Sequence, residues 1–127
     1  MEQAIVARIR AHFEAIGKDA VAAAAIYAED AVLEYPQSGE RIASRANIVA
    51  SRAAYPGRPS SFEVDRVIGV GDVWIAELTL HIEGDDPHCV VALLELRDDV
   101  VVSERIYIAE PWEAPAYRAQ WVEPRTG

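Results

Sequence analysis

Tyr27-Ala28-Glu29-Asp30-Ala31-Val32-Leu33-Glu34-Tyr35-Pro36 is the stretch on which the fold turns. Its second half, Ala31-Val32-Leu33-Glu34-Tyr35, reads as a short strand. Pro36 cannot donate to a sheet ladder, so the strand stops there, and Gln37-Ser38-Gly39 supplies a turn. Upstream the spacing predicts helices. Ile5, Ile9, Phe13 and Ile16 recur on one helical face, and Gly17 is placed to end that helix. Asp19 can cap a second, short, alanine-rich helix running to Tyr27. Downstream, residues 44–55 read as a third helix, with Ser44 as its cap and Pro56 as its stop.

Beyond Pro59 the pattern changes to strands. Residues 62–70, 73–83, 88–97 and 100–110 are extended runs, separated by the turn sequences Gly71-Asp72, Gly84-Asp85-Asp86-Pro87 and Asp98-Asp99. Helices first and an antiparallel meander afterwards make an α+β fold. At 127 residues, 51% of them apolar, the chain has material for one core, so one domain over 1–127 is expected. Its end, residues 111–127, is set apart as a tail. Pro111, Pro115 and Pro124 alternate there with Trp112, Tyr117 and Trp121, a stiff and adhesive segment expected to form no regular element. It can pack over its own domain or reach a partner subunit.

The net charge of −9 excludes the basic stripe that phosphate backbones require, so no nucleic-acid partner is expected. The longest apolar run, residues 20–28, is too short to span a bilayer, and Met1-Glu2-Gln3 does not open a signal peptide. A cytoplasmic protein that does not bind membranes is expected. Cys89, the one cysteine, lies in an apolar run and reads as a small buried thiol. No two histidines stand at ligand spacing, so no metal is expected. Gly69 and Gly71 belong to a hairpin rather than to a phosphate loop, and no serine sits in a strand-to-helix elbow. Eleven of the twelve basic residues are arginine, which points to a GC-rich bacterial source.

Residues 27–36, with residues 41–48 and 103–110, resemble the SnoaL-like branch of the nuclear transport factor 2-like (ketosteroid isomerase-like) superfamily. In such families a tyrosine ends the second helix, an acidic pair turns the chain, and the first strand stops at a proline. The resemblance implies a cone-shaped, curved antiparallel sheet with three N-terminal helices (a cystatin-like α+β barrel) around one small-molecule pocket. With no phosphate loop in the sequence, no cofactor is expected. Two catalytic patterns of the superfamily do not carry over. The isomerase base would fall on Tyr35, its acidic donor on Ala92, and its tyrosine near Ala11 or His12; the Asp-Arg-Asp set of limonene epoxide hydrolase would fall on Glu77, Thr79 and Ile106.

The same resemblance sets an expected facing. Ile75, Glu77, Thr79 and His81 would point into the cone, as would Glu104, Ile106, Ile108 and Glu110. Trp74, Ala76, Leu78 and Leu80 would lie outside and, with Leu93, form the interface of a homodimer. Hydrophobicity alone favours the opposite register for the strand over 73–83, in which the apolar set fills the core. With the polar set inside, Glu77 and Glu104 become desolvated carboxylates able to act as acid and base, with His81 as an auxiliary. Tyr35, His12, Phe13, Thr79, Ala92, Leu94, Ile106 and Ile108 would line the substrate site. The alternative role for either glutamate is an ion pair with an arginine such as Arg41 or Arg66. Functionally, the resemblance implies cofactor-independent isomerisation, cyclisation or dehydration of a small, largely apolar molecule. The alternative is a ligand-binding or dimeric interaction module without catalysis.

Overall fold

The computed structural model describes residues 2–125. The elements run α1 (Glu2–Ala15), α2 (Ala20–Ala24), β1 (Tyr27–Tyr35), β2 (Glu40–Ala43), α3 (Arg45–Ala53), β3 (Ser60–Val70), β4 (Val73–Ile82), β5 (His88–Arg97) and β6 (Val100–Ala109), followed by a 3₁₀ turn over Ala116–Trp121. One six-stranded sheet, ordered β2-β1-β6-β5-β4-β3, carries the helices on one face. It curves without closing. The meander β3 to β6 is antiparallel, whereas β1 lies parallel to β6 because the chain crosses over through α3 and the meander between them.

The caps form where the sequence places them. The Asp19 side chain accepts from the Ala22 amide at 3.1 Å and the Ser44 hydroxyl from the Asn47 amide at 3.2 Å, each satisfying a free helix donor. Gly17 and Gly39 adopt φ of 85° and 76°, which ends α1 and turns β1 into β2.

Two elements differ from expectation. The second helix ends at Ala24, and Tyr27 begins a strand instead of closing a helix. The sheet takes that segment: the Val101 amide bonds to the Ile26 carbonyl at 2.8 Å, and Tyr27 pairs with Val101. The sequence reading assigns no element to the residues of β2. They form a four-residue edge strand paired only to β1, too short for a period-two pattern to show.

The register of β4 is the larger correction. Trp74, Ala76, Leu78 and Leu80 are buried in the core, and Glu77, Thr79 and His81 lie on the outer face. Side chains alternate along a strand, so a one-residue slip in the family comparison moves the whole set to the other side. Burying a tryptophan and two leucines stabilises by about 1.5–3 kcal/mol per side chain, more than a desolvated polar row could return. The core also holds Ile9 and Phe13 of α1, Tyr27 and Leu33 of β1, Ile48 of α3, and Val90, Ala92 and Leu94 of β5. Cys89, expected buried, is exposed on the outer face by the same alternation.

Trp112, Tyr117 and Trp121 are exposed, so the tail does not fold its aromatics onto the domain. Pro115 precedes the 3₁₀ turn, a short regular element where none is expected. The last two residues of the tail, 126 and 127, lie outside the described residues.

Candidate active site

The inner face of the sheet carries one fully buried carboxylate, Glu104 of β6. Three elements bring partners to it. From β1, the Tyr27 hydroxyl donates to Glu104 Oε1. From α3, Arg52 Nη1 donates to the Tyr27 hydroxyl at 2.7 Å, and Nη2 lies 3.5 Å from Glu104 Oε1. From α1, His12 Nε2 lies 3.7 Å from Glu104 Oε2 and 3.4 Å from the Tyr27 hydroxyl. The other ring nitrogen of His12, Nδ1, donates to the Ala23 carbonyl at 2.7 Å. Glu104 Oε2 has no hydrogen-bond partner among the described residues.

The cluster sets its own protonation. Burial pushes the Glu104 carboxyl up, but His12, Arg52 and Tyr27 together outweigh it and hold the group below its ordinary range. Burial and the neighbouring Glu104 raise the Tyr27 hydroxyl well above the phenol range, so it stays a donor. Burial works against the Arg52 charge, yet Tyr27 and Glu104 more than offset it and keep the guanidinium firmly protonated.

Arg52 carries this buried cluster to an open space. A cavity of about 630 Å³ lies between α3, the end of α1 and the concave side of the sheet. Its walls are largely apolar, with Ile42, Phe62, Leu80, Ile106 and Ile108 among them. Arg52 is the only lysine or arginine among the lining residues, and its side chain is 21% exposed. Tyr35 lines the same cavity, with burial raising its hydroxyl above the usual range. Glu40, Tyr55 and Glu110 stand at the exposed mouth. His88 also lines it; the Nδ1–H of that ring donates to the Asp86 carbonyl at 2.9 Å, which leaves Nε2 free to accept. A second cavity, about 230 Å³, lies on the other side of Arg52 between α2 and α3.

The expected site residues divide accordingly. Tyr35, Ile106 and Ile108 line the cavity. Glu104 and His12 are brought together, but beneath the cavity wall and sealed from it. Phe13 forms a second layer, its ring 5.9 Å from Phe62 in an edge-to-face arrangement. Ala92 and Leu94 are core residues of β5 and do not line the cavity. Glu77, His81 and Thr79 stand on the opposite face of the sheet, so their expected facing is corrected. There Arg66 holds Glu77 at 2.5 Å, Glu63 holds His81 at 2.8 Å, and the Thr79 hydroxyl donates to Asp65 at 2.7 Å. In the true register the inward positions of β4 carry no ionisable group, so the hydrolase set is missing in either register.

Sequence reasoning does not point to Arg52, and it reads His88, which follows a turn, as a surface residue; both line the cavity. A signal existed for Arg52: it follows the fully buried Ile48 by four residues, which puts a guanidinium on the inner face of α3. His88 sits where a turn becomes a strand, and no local pattern separates that from a surface position.

A family model for the SnoaL-like domain matches residues 9–104, and the chain belongs to that family. The chain is similar to an NTF2-like protein of unknown function from Burkholderia xenovorans, with 41% identity over 98% of both chains and a TM-score of 0.89. It is also similar to a candidate ketosteroid isomerase from Kribbella flavida, with 29% identity over 98% of this chain and 92% of that one and a TM-score of 0.84. A candidate SnoaL-like polyketide cyclase from Jannaschia, 16% identical over 84% and 85% of the two chains with a TM-score of 0.74, shares the fold. A comparison with curated proteins finds no match. No helix among the described residues is long and apolar enough to cross a membrane, and no group of potential metal ligands occurs among them.

Proposed function

We propose that this protein binds one small, largely apolar organic molecule in the cavity above Arg52 and acts on it by cofactor-independent acid–base chemistry. The reaction is of the isomerase, cyclase or dehydratase kind. The observation that carries the reading is a single fixed arginine in a largely apolar wall. A guanidinium held by Tyr27 and Glu104 cannot swing away, so it presents its remaining donors at a defined place. A carbonyl oxygen of the ligand accepts from Arg52 and from the Tyr35 hydroxyl. As a proton leaves the adjacent carbon, the same donors stabilise the developing oxyanion. His88 Nε2 is the base that takes that proton, its tautomer fixed by the Asp86 carbonyl. Glu104 is a positioning residue that works through Tyr27 and Arg52.

Exchange of the α-hydrogens of 2-indanone in D₂O, followed by proton NMR, tests this. Wild type should accelerate exchange. Arg52→Met should abolish the acceleration, His88→Gln should reduce it at least tenfold, and Glu77→Gln and His81→Gln should leave it unchanged. Binding of the ketone without exchange would instead establish the second reading, a ligand-binding module. The sealing of Glu104 from the cavity favours that reading, since no carboxylate then reaches the ligand from the floor. Either reading includes a cytoplasmic homodimer joined through the outer sheet face. Ile68, Val70, Val73, Val91 and Tyr107 are exposed there in place of the buried Trp74, Leu78 and Leu80. Sedimentation of Val91→Glu as a monomer beside a wild-type dimer would support that interface.

A further inference from the structure

The floor of the cavity has a charge that can be counted from geometry. His12 Nδ1 spends its hydrogen on the Ala23 carbonyl, so in a neutral ring Nε2 is an acceptor. Facing it at 3.7 Å is Glu104 Oε2, the buried oxygen without a donor. Two bare acceptors opposed in a sealed core are costly to both. A proton on Nε2 relieves both, as an imidazolium facing the Glu104 carboxylate. Imidazolium, carboxylate and Arg52 then total one positive charge.

The groups facing this charge do not cancel it. Tyr27 from β1 keeps its proton, as does Tyr35, which also faces Arg52. Glu40 from β2 and Glu110 after β6 stand in water at the mouth, where solvent screens them. His88 lines the same cavity from the start of β5 and adds no negative charge. The buried charge reaches the cavity through Arg52 alone.

We propose that the natural ligand is a monoanion: an apolar body bearing one acidic oxygen function, as in a carboxylate, phenolate or stabilised enolate, seated with that oxygen on Arg52. This rests on the cavity above Arg52 being the ligand site. It also gives that site a preference between two forms of the same molecule.

The probe is 4-nitrophenol, whose neutral and anionic forms absorb at different wavelengths and interconvert near neutral pH. Its absorbance would be titrated against pH with and without saturating protein, occupancy being followed separately by ligand-observed NMR. The proposal expects the bound dye to lose its proton about one pH unit below the free dye, tenfold in favour of the anion. Arg52→Met should remove that shift and His12→Asn should diminish it. A bound dye that ionises at higher pH than the free dye overturns the proposal while leaving the pocket reading standing, because an apolar cavity alone favours the neutral phenol. No occupancy at any pH counts against both.

Discussion

The two faces of the sheet carry the same kinds of side chain and put them to opposite use. On the outer face Glu77 meets Arg66 and His81 meets Glu63; on the inner face Glu104 meets Arg52 and His12. The Glu77 side chain is 43% exposed, whereas Glu104 is 0% exposed. Water screens the outer pairs, and each is one link in a row of cross-strand contacts. The inner set is cut off from water and bound into one network, so every member fixes the protonation of the others. Identity and pairing do not make a site here. Burial and connection to a cavity do.

Trp74→Ala would break the comparison at its base, because it tests which face is which. A buried tryptophan removed from this core should cost about 3–5 kcal/mol in urea unfolding. A cost under about 0.5 kcal/mol would place the residue outside. Tyr27→Phe comes next. It takes a donor from Glu104 and an acceptor from Arg52, so a loss of about 1–3 kcal/mol is expected, with weaker binding of any Arg52 ligand.

Acid sharpens the contrast further. A carboxyl held below its ordinary range stabilises the fold above the unfolded-state value, about 4.3, and that contribution is lost as pH falls through the lower folded value. Wild type should therefore lose stability below about pH 4, and Glu104→Gln should show a shallower loss over the same range. The smallest effect is expected outside. His81→Ala should change stability by about 0–1 kcal/mol, and less in high salt, when its unfolding is followed at two ionic strengths.

Much of this was legible in the sequence. The meander was readable because its four strands are long and their turns carry Gly, Asp and Pro. The third helix was readable from Ser44 and Pro56. Tyr27 was misplaced because an alanine-rich run favours helix locally, while the hydrogen bond to Ile26 and the pairing with Val101 that decide the matter come from far along the chain. In β4 the alternation itself was plain, but which set faces inward depends on the curvature of the whole sheet. The apolar set gave the correct answer where family comparison by eye did not. On β6 the family comparison did set Glu104, Ile106 and Ile108 inward; the isolation of Glu104 from the cavity was not readable, since Tyr27 and Arg52 come from two other elements to cover it. An arginine on the buried side of a nine-residue helix is a faint signal, and it marks the residue that links cluster to cavity.

The central claim is that the inner carboxylate belongs to a coupled site and the outer one to a solvated pair. Urea unfolding of Glu104→Gln and Glu77→Gln, side by side at neutral pH, tests it most directly. The account expects a loss of about 3 kcal/mol or more for Glu104→Gln, which leaves Arg52 and His12 without their counter-charge, and less than about 1 kcal/mol for Glu77→Gln. Equal losses, or a stabilised Glu104→Gln, would contradict it.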